Sequence, residues 1–494
     1  MELSQILVYS FLLFVSMTLL WFFKRLKKSQ LSKDQFIFKT LAPLIYNYHH
    51  VNEVTTTLFE TVGETVPIGG KIFTCNPDNI EHILRSNFSN DSKGADFVEL
   101  VDIFGDGLFN IDSHLPQWQA EKRMLNYELS FKDFKSFAAN VSLKEVETAL
   151  VPVLQHLSKE KCVVDLQDLF LRFAYDNSFH MIFGINPNLL SPSFPENVFA
   201  EAIDVVMETI KCRLIVPVTI WKLFRSLKLR WEGRYCKAVK LIDKTIHDVL
   251  TVKKKEMAKG VATTNDLMSP FIRSQGENDK FLRDMTFNAI FAASDTTSSG
   301  LTWFFWLVSQ SPTAKANILD EIDHVISFDQ SKTSKIKVFN QEDVKNMIYL
   351  HAAFCESMRL FPPVYMNQRY AAKDDVLPDG STVKAHTKVR TFLYVSGRIK
   401  RIWGEDSNEF KPERWINEDG KIRPELMSKW FIFNVGPRSC MGRDMAFSNM
   451  KMVAATILYN FNVEVVECDP TYTKQSMVLF MENGLKVKTS EKIG

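Results

Sequence analysis

The residues Phe433-Asn434-Val435-Gly436-Pro437-Arg438-Ser439-Cys440-Met441-Gly442 carry the strongest chemical signal in the chain. Glycine and proline bend the backbone, a cysteine closes the loop, and a helix-periodic run begins just after it. A sulfur at a helix N-terminus is favoured as thiolate by the positive end of the dipole and by nearby amides. Gly436 and Gly442 let the backbone approach a flat group closely, and Arg438 offers a fixed cation for an acidic one. The plain alternative is a buried cysteine in an ordinary turn.

Three further patterns could do chemistry. Ala292-Ala293-Ser294-Asp295-Thr296-Thr297 puts an acid and hydroxyls inside an apolar helix, which is costly unless they are partnered or used. The threonines could equally bond back to their own helix carbonyls. Glu356 and Arg359 stand three apart on one helix face and can pair; such pairs are common and weak at a surface. Trp118 is followed by Lys122 and Arg123, an indole beside two cations.

The elements that must position these groups are mostly helical. A long helix lies within Asp266–Gln310, centred on Met285–Val308. Another is expected over Gln341–Phe361, stopped by Pro362-Pro363. A last one spans Met441–Leu458, with Met450, Val453, Ala454 and Ile457 at helical spacing. Strands are short: Lys71–Cys75, Lys388–Leu393 and Val463–Val466. Hairpins are expected around Val376–Gly380, from its Pro-Asp-Gly turn, and over Val478–Val487. The expected fold class is therefore mainly α with small β-sheets.

Composition bounds the partners. The 494 residues are 46% hydrophobic and 24% charged, ordinary for a globular protein. A net charge of +2 argues against nucleic acid binding. The 39 phenylalanines suit either an apolar ligand or simply a large core. Seven scattered cysteines without a CxxC pair argue against a disulfide framework and a structural zinc site.

The uncharged run Ile6–Phe23 is followed at once by Lys24-Arg25-Leu26-Lys27-Lys28. As a helix it spans roughly 27 Å, enough to cross a bilayer, and the basic flank holds the body on the cytosolic side. A cleaved signal peptide would carry its charge before the apolar run and a small-residue cleavage site after it. Residues 1–28 are thus expected to be a membrane anchor and 29–494 one catalytic domain.

The Cys440 loop resembles the heme-binding signature of cytochrome P450 enzymes, Phe-x-x-Gly-x-Arg-x-Cys-x-Gly, at every defining position. The resemblance implies the cytochrome P450 fold behind an N-terminal transmembrane anchor. It also implies heme b held by an axial Cys440 thiolate, which pushes electron density toward iron. Glu356, Arg359 and Arg414, the last within Pro412-Glu413-Arg414-Trp415, match the family's Glu-x-x-Arg and Pro-Glu-Arg-Trp elements, implying a structural lock behind the heme. Ala292–Thr297 is similar to the oxygen-activation motif, implying that Thr296 holds dioxygen or a water while Asp295 relays protons. Ala293 stands where glycine is usual, one methyl at the notch for oxygen. Trp118, Lys122 and Arg438 are the implied heme contacts, although Lys122 stands where the family commonly has arginine. The usual proline-rich hinge is missing, Leu31–His50 containing only Pro43.

Four further runs resemble the plant fatty acid ω-hydroxylases and mid-chain alkane hydroxylases, the alkane branch in particular, with a phenol-coupling relative near it. They are Leu301–Val308, Tyr349–Ala353, Ile402–Asp406 and Leu479–Leu485. The implied substrate pocket is lined by Phe104, Leu108, Ala292, Thr296, Val364, Tyr365, Leu479 and Phe480. The implied activity is hydroxylation of unactivated C–H bonds in long-chain alkanes or fatty acids. It would use O2 and electrons from NADPH through NADPH-cytochrome P450 reductase, at the endoplasmic reticulum membrane. Lys122, Arg123, Lys429 and Arg443 form a basic patch for that partner or merely a solvated face. The alternatives are a phenol-coupling or other specialised oxidase, a hydroperoxide isomerase or dehydratase that needs no reductase, and a degenerate member without catalysis.

Overall fold

The computed structural model describes residues 51–492 apart from 95, 96, 98, 100, 261–264, 277, 328–335, 471, 472 and 475. The expected anchor and the Leu31–His50 stretch lie outside the described residues. Among the described residues, no helix is long and apolar enough to cross a membrane. The chain divides into two units, Met1–Gly63 and Glu64–Gly494. In the first, helix α1 (Val51–Val62) is described.

The second unit is mainly α with small sheets, as its sequence leads one to expect. Its principal helices are α2 (Pro116–Ser130), α3 (Leu166–Phe183), α4 (Val198–Ile215), α5 (Arg230–Ala258), α6 (Asp279–Gln310), α7 (Ile348–Leu360) and α8 (Arg443–Asn460). Their ends follow from local chemistry. Asp165 caps α3 by accepting from Gln167 N at 2.9 Å, and Gly184 closes it with φ 74°. Asn278 caps α6 through Phe281 N at 3.1 Å, and Pro312 follows its last residues. At about 1.5 Å per residue, the 32 residues of α6 span about 48 Å. It lies against α3, with Ser294 Oγ donating to Ser178 Oγ at 3.1 Å and Phe170 meeting Phe305 at 5.2 Å between ring centres.

Among the described residues, ten strands form three sheets. The largest has the order β1 (Thr65–Ile68), β2 (Lys71–Thr74), β8 (Lys388–Phe392), β5 (Met366–Ala371), β3 (Asp91–Ser92). Within it β2 and β8 are parallel, with Ile72 opposite Val389. A second sheet orders β4 (Val163–Asp165), β10 (Lys486–Glu491) and β9 (Phe461–Glu467), and β6 (Asp375–Val376) pairs with β7 (Thr382–Val383). The Pro-Asp-Gly turn joins β6 to β7 as expected, Leu377 N donating to Ser381 O at 2.9 Å.

Two expectations need correction. Gln341–Phe361 is not one helix: it is a short helix, Gln341–Lys345, and then α7. The Glu321 carboxylate accepts from Tyr349 N and Leu350 N, both at 2.8 Å, and so starts α7 afresh. Val478–Val487 is not a hairpin. Gln167 Oε1 accepts from Met481 N (2.9 Å) and Asp165 Oδ1 from Leu485 N (3.0 Å), so side chains of another segment hold the backbone that a partner strand would have paired.

The apolar core joins α3, α4, α5 and α6 around Phe179, Met207, Ile242 and Phe287. Phe104 and Ile290 belong to the same cluster.

Candidate functional site

The Cys440 loop is shaped by residues that tolerate left-handed backbone. Asn434 and Gly436 have φ 55° and 67°, and Cys440 N donates to Phe433 O at 2.8 Å. A Cβ at Gly436 would meet the Leu84 carbonyl at 2.4 Å, so glycine lets the loop lie on the turn His82–Ser86. The Cys440 side chain is exposed at a cavity that Phe433, Asn434, Met441 and Arg443 also line. Desolvation by the surrounding atoms raises its thiol pKa; the Gly442 amide, the Arg443 charge and the Arg443 amide oppose that rise. A soft cation at the sulfur would complete deprotonation.

Trp118, Lys122 and Arg438 come together. The Trp118 ring lies 5.2 Å from Lys122 Nζ and 4.9 Å from the Arg438 guanidinium carbon. Arg438 donates to Leu108 O (3.0 Å) and Ile111 O (2.7 Å), and Trp118 Nε1 also donates to Leu108 O (3.3 Å). Leu108, expected only as pocket lining, is therefore also the carbonyl that ties the loop before α2 to the cysteine loop. Lys122 is half-buried, and among the described residues no carboxylate pairs with it. Desolvation and then the Arg438 charge lower its pKa. Two cations beside one indole fit an acidic ligand group, and the open sulfur fits a soft metal: this donor set suits heme. Arg123, Lys429 and Arg443 are exposed.

On α6 the acid and the hydroxyl diverge. Thr296 Oγ1 donates to Ala292 O at 2.7 Å, the helix back-bond. Asp295 is buried and accepts from Tyr175 Oη of α3 at 3.1 Å. Desolvation pushes its carboxyl up to about 7; the Asp204 charge adds to this, while the Tyr175 hydrogen bond and the Lys474 charge oppose it. A buried carboxyl of that pKa can both hold and release a proton near neutrality.

Glu356 and Arg359 form a fully buried bidentate pair, both contacts 2.7 Å. Arg414 Nε (3.2 Å), Trp415 Nε1 (2.8 Å) and Lys411 N (3.1 Å) also donate to Glu356. Arg359 reaches Ser407 O at 2.6 Å and Glu409 O at 3.1 Å. The pair thus gathers the whole 397–415 segment beneath α7.

The remaining expected lining falls in two groups. Phe104 meets Phe287 and Phe291 edge-on at 5.4 and 5.2 Å, one residue short of Ala292. Tyr365 Oη donates to Ser476 O (3.2 Å), and Leu479 N donates to Pro363 O (2.9 Å), which joins half-buried Val364 and its neighbours to the Leu479-Phe480 segment. Leu479 O accepts from Ser299 Oγ and Trp303 Nε1 of α6, both at 2.7 Å.

Sequence reasoning missed Tyr175, Asp284 and Asn288. Nothing local marks Tyr175. Asn288 Nδ2 donates to Phe104 O (2.9 Å), and Asp284 accepts from Asp106 N (3.0 Å); their polarity within an apolar helix was the available signal.

The cytochrome P450 family model matches residues 37–489. Alkane hydroxylase MAH1 of Arabidopsis thaliana is 35% identical over 91% of this chain and 90% of that protein. Noroxomaritidine synthase of Narcissus aff. pseudonarcissus MK-2014 is 34% identical over 92% and 90%. Cytochrome P450 94B3 of Arabidopsis thaliana is 37% identical over 86% and 84%. The chain therefore belongs to the cytochrome P450 family, and it is a monooxygenase with a heme-thiolate cofactor.

Proposed function

We propose that this monooxygenase hydroxylates unactivated C–H bonds of long-chain aliphatic substrates, alkanes or fatty acids. The observation that carries this reading is the aromatic wall of Phe104, Phe287 and Phe291 set one residue before Ala292. An apolar wall there suits hydrocarbon. The likeness to an alkane hydroxylase supports the same reading.

Cys440 would hold the heme iron through its thiolate, with the Gly442 and Arg443 amides steadying its charge. Arg438, Trp118 and Lys122 would hold the acidic edge of the heme. Bound heme supplies oxygen activation, with O2 and electrons from NADPH through NADPH-cytochrome P450 reductase. Thr296, freed from Ala292 O by rotation about its side chain, would hold a water or dioxygen, and Asp295 would supply the proton. Glu356, Arg359 and Arg414 would keep the frame under the cysteine loop. In this reading residues 1–28 anchor a catalytic domain, 29–494, on the cytosolic face of the endoplasmic reticulum.

The likeness to noroxomaritidine synthase favours a second reading, an oxidase of specialised metabolism. The test is the reduced, carbon monoxide-bound absorption spectrum of the wild type and of Cys440→Ser, followed by turnover of alkanes and fatty acids with the reductase. A red-shifted Soret band lost in the variant, together with NADPH-dependent hydroxylation, is expected. The same band in both proteins, or no heme uptake, would refute the ligand assignment.

A further inference from the structure

The apolar face of α4 contains a lysine. Ile203, Met207 and Lys211 follow one another at spacings of four, on one stripe of the helix. Ile203 and Met207 are buried in the cluster that holds Phe104, Phe287 and Ile290. Lys211 is only 6% exposed.

Buried cations normally carry a counter-charge. Here Lys253 has Asp266 at 2.6 Å and Arg213 has Glu232 at 2.7 Å. Among the described residues no carboxylate lies within ion-pair distance of Lys211. Its ammonium makes one long contact, to Lys474 O at 3.4 Å, and stands 6.0 Å from the centre of the Tyr365 ring. Desolvation lowers the Lys211 pKa to about 8, while Cys212 and Glu482 oppose that fall, and Lys474 is itself paired with Asp204 at 3.0 Å. Lys474 in turn lies 5.9 Å from the Phe480 ring.

Lys211 therefore sits where α4 meets Tyr365 and Lys474, close in the chain to the Val364-Tyr365 and Leu479-Phe480 pairs assigned to the substrate pocket. An ammonium there, with two of its three donors uncommitted, is complementary to an anion that arrives with an apolar body. We propose that Lys211 binds the carboxylate of a fatty-acid substrate where α4 meets Tyr365 and the Lys474 carbonyl. This inference rests on the aliphatic-hydroxylase reading and narrows it from hydrocarbons in general to acids. A neutral alkane would leave the lysine without its partner, and the site would lose selectivity for it.

The experiment is an optical titration of the heme-loaded full chain with dodecanoic acid and with methyl dodecanoate, read from the Soret shift. Wild type is expected to bind the acid about tenfold or more tightly than the ester. Lys211→Met should weaken the acid to the level of the ester and leave ester binding unchanged, and Lys211→Arg should keep most of the preference. Equal binding of acid and ester by the wild type, or an equal loss for both ligands in Lys211→Met, would overturn the assignment. If Lys211→Met fails to take up heme, Lys211→Gln and the wild-type acid-to-ester ratio decide the matter. A normal carbon monoxide band without acid preference removes only this inference; failure of the wild type to bind heme or to oxidise any aliphatic probe removes the reading beneath it.

Discussion

Tyr175 Oη donates to Asp295 Oδ1 at 3.1 Å in a wholly buried contact that joins α3 to α6. The acid lies one residue before Thr296, and its carboxyl is pushed up to about 7, mainly by desolvation. Its environment thus determines both its proton affinity and the side of α6 from which that proton can come.

Asp295 holds its proton more tightly in the folded chain than unfolded, where an aspartate titrates near about 3.9. Its contribution to stability is therefore full below about pH 4 and is lost as pH rises through about 7. Asp295→Asn should remove that loss, making the variant on the order of 1–3 kcal/mol more stable than wild type at pH 8 but not at pH 4. Urea unfolding midpoints at the two pH values check this; parallel pH dependence in both proteins would count against it.

Tyr175→Phe removes a donor that stabilises the charged carboxylate. Its effect should have the opposite sign, a destabilisation of about 1–2 kcal/mol above neutral pH that shrinks toward pH 4. The double variant with Asp295→Asn should behave like Asp295→Asn alone. Additive effects would mean that the tyrosine acts only by packing.

Glu356→Gln keeps the shape of the side chain but leaves Arg359 buried without its counter-charge. A loss of about 3–5 kcal/mol is expected, since breaking one side of a buried pair strands the other. Thermal melting and heme content of the purified protein measure it. Retention of both at wild-type levels would show that the surrounding carbonyls suffice.

Gly105→Ala should loosen the loop that carries Phe104. Gly105 has φ 57°, and a Cβ there would stand 2.2 Å from the Asp284 carboxylate. The loop must then leave α6, at a cost of about 2–3 kcal/mol in backbone strain and lost hydrogen bonds. Weaker binding of aliphatic ligands in optical titrations is the expected sign, with the carbon monoxide spectrum unchanged. Unaltered ligand affinity would place the Phe104 wall outside the binding site.

What the sequence determined alone is what depends on neighbours along the chain. The bend at Gly436-Pro437, the stop at Pro362-Pro363, the Pro-Asp-Gly turn and the Glu356–Arg359 pair all act over a few residues, and each stands as expected. Tertiary structure decided the rest. Glu321 divides a run that reads as one helix, because a carboxylate distant in sequence captures the amides of α7. Tyr175 meets Asp295 across 120 residues, and Lys211 becomes buried because α4 lays its apolar stripe against two other segments. Periodicity says which face of a helix turns inward, whereas the partner it meets there depends on packing between segments far apart in the chain.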